Sequence, residues 1–141
     1  MKMVLLQPEE WTAPLQEQLT QLYRQLNSEL TQLPLQAILD SSTTTDVAVC
    51  MEQDALLGIA MMARYKVISG HKGMIEDVVV DEAHRGKGIG KKLMLLLLTQ
   101  ARKEGLDDVL LFSGHHRTPA ITMYKSLGFT LKNSGLYIKK L

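Results

Sequence analysis

Disulfide crosslinking is closed to this 141-residue chain, because its one cysteine, Cys50, has no partner. A reducing, cytoplasmic setting is the expectation that follows. Cys50 lies in the apolar stretch Val47-Ala48-Val49-Cys50-Met51, the surroundings of a buried core thiol rather than a reactive nucleophile. Net charge is lacking too, since 16 basic against 15 acidic residues leave +1. No global field draws the chain toward nucleic acid or an anionic membrane, so any bound anion needs a local site. Long apolar runs are also missing: residues 93–98 and 55–63 fall far below the ~20 that cross a bilayer. The apolar run at the start is too short for a signal peptide. Repeats, low-complexity tails and interdomain linkers do not occur. An apolar fraction of 45% and a charged fraction of 22% describe a soluble globular chain with one core, read as one domain over residues 1–141.

Periodicity divides the chain into mixed elements. Residues 3–6 suit a short strand. Leu15, Leu19, Leu22, Leu26, Leu30 and Leu33 form a helical stripe, with Thr12 as its N-cap and Leu33-Pro34 as its stop. A second short helix is expected over 35–39. Runs 46–52 and 56–65 are compatible with strands and, separated by Gln53-Asp54, predict a hairpin. Residues 69–73 read as a turn, and the strand over 74–80, ending in three valines, reads as central. A helix over 88–104 follows, with Gly105 as its C′ residue. Then come a strand over 109–112, a helix opened by Thr118-Pro119 and running through Leu127, and two closing strands over 129–131 and 136–138.

The segment between the valine strand and the long helix carries the chemistry. Gly86, Gly88 and Gly90 fall within five residues, a poor choice for helix propensity at about 1 kcal/mol each in a helix interior. They suit a place where backbone N–H groups must meet a ligand closely. The free amides of a helix's first turn, at its positive dipole end, form an anion site, and Arg85, Lys87 and Lys91 add charge around it. Two other phosphate motifs fail here. A Walker loop needs glycine where Arg85 stands and Ser or Thr where Lys92 stands. A dinucleotide G-x-G-x-x-G meets Lys91 or Leu93 at its last glycine.

The motif R-x-x-G-x-G does fit, through Arg85, Gly88 and Gly90. Residues 75–93 closely resemble the acetyl-CoA signature of the GNAT superfamily of N-acetyltransferases. A second block, Arg117-x-x-Ala120 with Tyr124 and Leu127-Gly128-Phe129, resembles the A-x-x-x-Y-x-x-x-G-F ending of that family. The resemblance implies an α/β fold with a mixed central sheet of six to seven strands, a splayed central pair and about four helices. It also implies acetyl-CoA as cosubstrate, no metal, and transfer of the acetyl group to a primary amine of a small molecule. The cofactor would pair with the backbone of Val78, Val79 and Val80. Its pyrophosphate would rest on Arg85, Gly86, Lys87, Gly88, Ile89, Gly90 and Lys91. Dimerisation is common in the family.

Amine acetylation requires removal of the ammonium proton, stabilisation of the oxyanion and protonation of the departing thiolate. The resemblance makes Tyr124 the group facing the sulfur and the amide of Val78 the oxyanion donor. Glu76 is the candidate base, since an acid within an apolar strand is costly unless a cleft solvates or pairs it. In regular alternation Glu76 shares the face of Val78 and Asp77 takes the other. His115 and His116 are adjacent and cannot clasp one metal as an i, i+4 pair; they decorate a loop near the cofactor or acceptor mouth. Arg117 stands where many family members have asparagine. Residues 27–36 would border the acceptor. A non-catalytic acyl-CoA-binding module is the alternative, and a nucleotide-binding protein the third reading.

Overall fold

In the computed structural model, which describes residues 1–141, one five-stranded sheet carries helices on both faces. Strands β1 (Lys2–Leu5), β2 (Thr45–Glu52), β3 (Ala55–Val67), β4 (Gly70–Val80) and β5 (Asp108–Leu111) lie in sequence order across it. The first four are joined antiparallel, and β5 pairs parallel to β4. A parallel pair needs a crossover, and α3 (Ile89–Lys103) supplies it. Helices α1 (Ala13–Arg24) and α2 (Leu35–Ile38) precede β2, and α4 (Thr118–Ser126) follows β5.

Strand alternation builds a core on each face. Val47 and Val49 of β2 pack with Leu15, Leu19, Leu22 and Leu35 of α1 and α2. Ala48 and Cys50 pack with Ile89, Leu93, Met94 and Leu97 of α3 and Tyr124 of α4. Cys50 is fully buried, as its apolar neighbours foretold. Asp46 is the one charged residue in the buried set; Arg64 Nε donates to it at 2.8 Å and Gln100 Nε2 at 3.3 Å. Thr12 caps α1, its hydroxyl accepting from the Leu15 amide at 3.2 Å.

Four expectations need correction. The sheet has five strands, not six or seven, because residues 129–131 and 136–138 form none. No backbone hydrogen bond ties residues 130–141 to the sheet, and Leu131, Leu136, Tyr137 and Ile138 stand exposed. The leucine stripe outlasts its helix, which ends at Arg24. The Asn27 side chain accepts from the Glu29 amide at 3.0 Å, a local alternative to helical pairing. Leu30 and Leu33 are accordingly exposed. The turn expected over 69–73 shrinks to Ile68-Ser69, and β4 starts at Gly70. Arg117, not Thr118, is the cap position of α4, and its side chain makes no capping bond.

Candidate active site

The sheet opens where β4 and β5 part. Their pairing runs from Lys72–Asp108 to Ile75–Leu111 and stops there. Residues 76–80 of β4 continue to the helix α3 turn with no strand on that side. Main-chain groups left outside a ladder can pair with an extended ligand, in the manner of an added strand. Val79 is buried toward α1, whereas Val78 and Val80 are partly buried and pack against the α3 side.

On its other edge β4 bulges. Ile59 of β3 faces Val79 and Met61 faces Glu76, a step of two residues on β3 against three on β4. The extra residue is accommodated by Asp77, which adopts φ 54°. This left-handed conformation is strained for a side chain other than glycine and is best tolerated by Asp or Asn. A bulge breaks the period of two, so the expected separation of Glu76 and Asp77 onto opposite faces does not hold. Both carboxylates instead act on Tyr23 of α1. Its hydroxyl pKa is raised by burial first, then by Asp77, with Glu76 adding to the effect. Glu76 remains exposed, yet partial desolvation raises its carboxyl pKa, and the Asp77 charge raises it further. Two acids and a phenol thus share one wall, a setting suited to a cationic amine. Tyr23 escaped the sequence reading because the apolar stripe of α1 surrounds it.

The glycine turn has the form of an anion cradle. Gly86 and Gly88 take φ 80° and 77°, and a Cβ built on either meets nothing within 4 Å. Space above this backbone is therefore open to a ligand. Gly88 caps α3 without a side chain, and the Lys92 amide donates to the Gly88 carbonyl at 3.1 Å. Amides of Ile89, Gly90 and Lys91 belong to the first turn, which lacks intrahelical acceptors. Arg85 is partly committed elsewhere, since its Nε donates to the Val80 carbonyl at 3.2 Å. Lys87 and Lys91 are exposed beside the turn.

Gln25, just past α1, ties that helix to the segment before this turn. Its side chain donates to Asp81 Oδ1 at 3.1 Å and accepts from the Glu82 amide at 2.9 Å. Asp81 also pairs with His84 Nδ1 at 3.2 Å. Nothing in the spacing of Gln25 and Asp81, 56 residues apart, marked them as partners.

Tyr124 is buried on the opposite wall, with its ring edge-on to Phe129 at a centroid distance of 6.1 Å. Burial raises its pKa, partly offset by the Arg117 charge. Arg117 is exposed, as are His115 and His116 in the preceding turn. Ser113, two residues beyond β5, has a buried hydroxyl with no hydrogen-bond partner. An orphaned hydroxyl where the strands separate fits a polar ligand entering the gap. A cavity of about 470 Å³ lies elsewhere, beside β5 and residues 127–132.

Comparison with known proteins bears on this geometry. A model described as the acetyltransferase (GNAT) family matches residues 6–129. A mycothiol acetyltransferase of Thermobispora bispora is 43% identical over 61 residues, which are 43% of this chain and 21% of the relative. Glucosamine 6-phosphate N-acetyltransferase 1 of Oryza sativa subsp. japonica is 36% identical over 102 residues, covering 65% of this chain and 59% of the relative. The chain thus spans about a fifth of the first relative and under two thirds of the second. Among solved structures, an acetyltransferase of Trypanosoma brucei superposes with a TM-score of 0.80 at 22% identity, over 99% of both chains. An aminoglycoside acetyltransferase from an uncultured soil metagenomic sample gives 0.84 at 20% identity, over 99% of this chain and 95% of the other. At these identities the two structures establish a shared fold.

Proposed function

Because the chain belongs to the acetyltransferase (GNAT) family, we propose that it is a single N-acetyltransferase domain that moves an acetyl group from acetyl-CoA directly to a primary amine. The observation carrying this reading is the pairing of an unpartnered β4 edge with a glycine-built first turn of α3. Backbone of Val78, Val79 and Val80 would hold the pantetheine arm, and amides from Gly86 to Lys91 the pyrophosphate. The open space over Gly86 and Gly88 and the orphaned hydroxyl of Ser113 support the fit.

Acetyl-CoA supplies an activated acetyl thioester when bound. Glu76 would take the ammonium proton, directly or through water. Its raised pKa favours that task, since a carboxylate closer to neutrality is the stronger base. Asp77 and Tyr23 would orient the cation beside it. The Val78 amide would donate to the carbonyl oxygen as charge gathers there. Tyr124, kept protonated by burial, would give its proton toward the sulfur as the thiolate departs. Roles of Arg85 and Lys87 are those of outer positive charge, the former anchored to Val80.

The acceptor we assign is a small-molecule amine, supported by the paired acids and by the likeness to a glucosamine 6-phosphate N-acetyltransferase. No helix is long and apolar enough to cross a membrane, and the lone buried Cys50 suits a reducing cytoplasm. A screen of amines for thiol release from acetyl-CoA tests the proposal. Turnover with at least one amine is expected. Binding of CoA without turnover on any amine would overturn the catalytic reading.

A further inference from the structure

Alternation along the strands sends most apolar side chains into one of the two cores, but four near the open end of the sheet join neither. Val109 and Leu111 of β5 and Ile75 of β4 pack on the α3 side. Leu110 and Met74, paired to each other in register, therefore face the α1 side. Ala63 of β3 lies opposite Met74 and shares the face of Met61, which packs with the α1 leucines. Phe112 follows β5 two residues after Leu110 and keeps 58% of its surface exposed. Ala63, Met74 and Leu110 are only partly buried, and none of the four belongs to either core. Together they make an apolar floor that α1 leaves uncovered.

This floor is continuous with the acidic wall. Glu76 stands opposite Met61 and two residues past Met74, about 7 Å along the same face. The Tyr23 phenol, coupled to Asp77 and Glu76, belongs to that end. At the other end Lys72 has Asp108 as its register neighbour, so the cation there is matched by an acid. The face thus runs from acids, through apolar side chains, to a balanced pair. A cationic amine suits the first part, but a hydroxylated body laid on the second would lose water without gaining hydrogen bonds. An apolar body instead removes both surfaces from water. Met74 adapts its shape and makes favourable sulfur contacts with rings, and Phe112 can meet a ring edge-on or offset.

Resting on the acetyltransferase reading above, we propose that the acceptor is a primary amine joined by a short spacer to an apolar, preferably aromatic, body. That body lies over Met74, Leu110 and Phe112 while the amine reaches Glu76. Amino sugars, phosphorylated or not, are then poor acceptors, because their hydroxyls find no partners on the floor.

The experiment compares thiol release from acetyl-CoA with phenethylamine, its truncated analogue ethylamine, glucosamine and glucosamine 6-phosphate. A kcat/KM for phenethylamine about 10-fold or more above each of the others is expected, carried mainly by KM. Phe112→Ser and, separately, Met74→Gln should each shrink the ratio of phenethylamine to ethylamine about 3- to 10-fold, with thermal unfolding as the check on folding. Calorimetric titration of phenethylamine into protein saturated with CoA reads the floor without chemistry, and binding that weakens in both variants is expected. Preference for the amino sugars, or a ratio of phenethylamine to ethylamine near unity, overturns the substrate class and leaves acetyl transfer standing. Phenethylamine binding with no turnover of any amine does the reverse, supporting the floor and refuting the transferase. Neither binding nor turnover sinks both.

Discussion

Replacing Gly88 by alanine separates the anion cradle from ordinary turn geometry. Gly88 holds φ 77°, and a methyl group there touches no protein atom within 4 Å. The cost to the free protein is therefore conformational, about 1–2 kcal/mol for a left-handed residue with a Cβ. A domain of this size should lose about 3–6 °C in Tm. Gly105 provides the matching control: it holds φ 72° at the far end of α3, again with nothing within 4 Å of an added Cβ. Gly105→Ala should lose similar stability. Only Gly88→Ala places a methyl over the first-turn amides. Losing one charge-assisted hydrogen bond there is worth about 1.5–3 kcal/mol, or roughly 10- to 100-fold in Kd. Calorimetric titration with CoA of the unaltered protein and both variants measures this. Equal affinity in all three proteins would refute the cradle; equal weakening in both variants would trace the loss to fold strain instead.

Tyr124→Phe should lower kcat about 10- to 1000-fold with little change in CoA affinity, and an unaltered rate removes the phenol from the mechanism. For the base, a raised folded pKa means that Glu76 holds its proton to higher pH than an ordinary carboxyl, so kcat/KM should fall on the acidic side within the range between the two. Asp77→Asn keeps a residue that tolerates φ 54° but removes the second cause of the shift, and this limb should move to lower pH; Glu76→Gln should abolish it. Gln25→Leu breaks the bridge to Asp81 and Glu82, and steady-state assays should show KM for acetyl-CoA rising more than kcat falls. Arg64→Met leaves Asp46 buried with Gln100 as its remaining side-chain partner, and urea unfolding should register a loss of about 2 kcal/mol, reduced from a fully buried pair by the exposure of Arg64.

The elements read correctly were those whose signals are local. Thr12 caps α1 because a hydroxyl oxygen reaches an amide three residues on, and alternation in β2 assigns each side chain to one core. The stripe failed beyond Arg24 because periodic leucines record apolar spacing, whereas past Gln25 the chain takes local turn pairing, with Asn27 accepting from the Glu29 amide. The closing strands failed for a different reason. Residues 136–138 have strand composition, but a strand needs a partner edge, and within this chain they have none.

From its residues alone the chain determined a glycine-rich turn before a long helix, a valine strand leading into it, and the acid Glu76 within that strand. Those features depend on neighbours within a few positions, where backbone geometry and side-chain chemistry act directly. Only the tertiary structure decided that β4 bulges at Asp77, that the Tyr23 phenol is coupled to both acids, and that Gln25 joins the end of α1 to Asp81 and Glu82. Each of these depends on which distant segments the sheet register brings together, and register is set by the packing of two cores at once rather than by any single stretch of sequence.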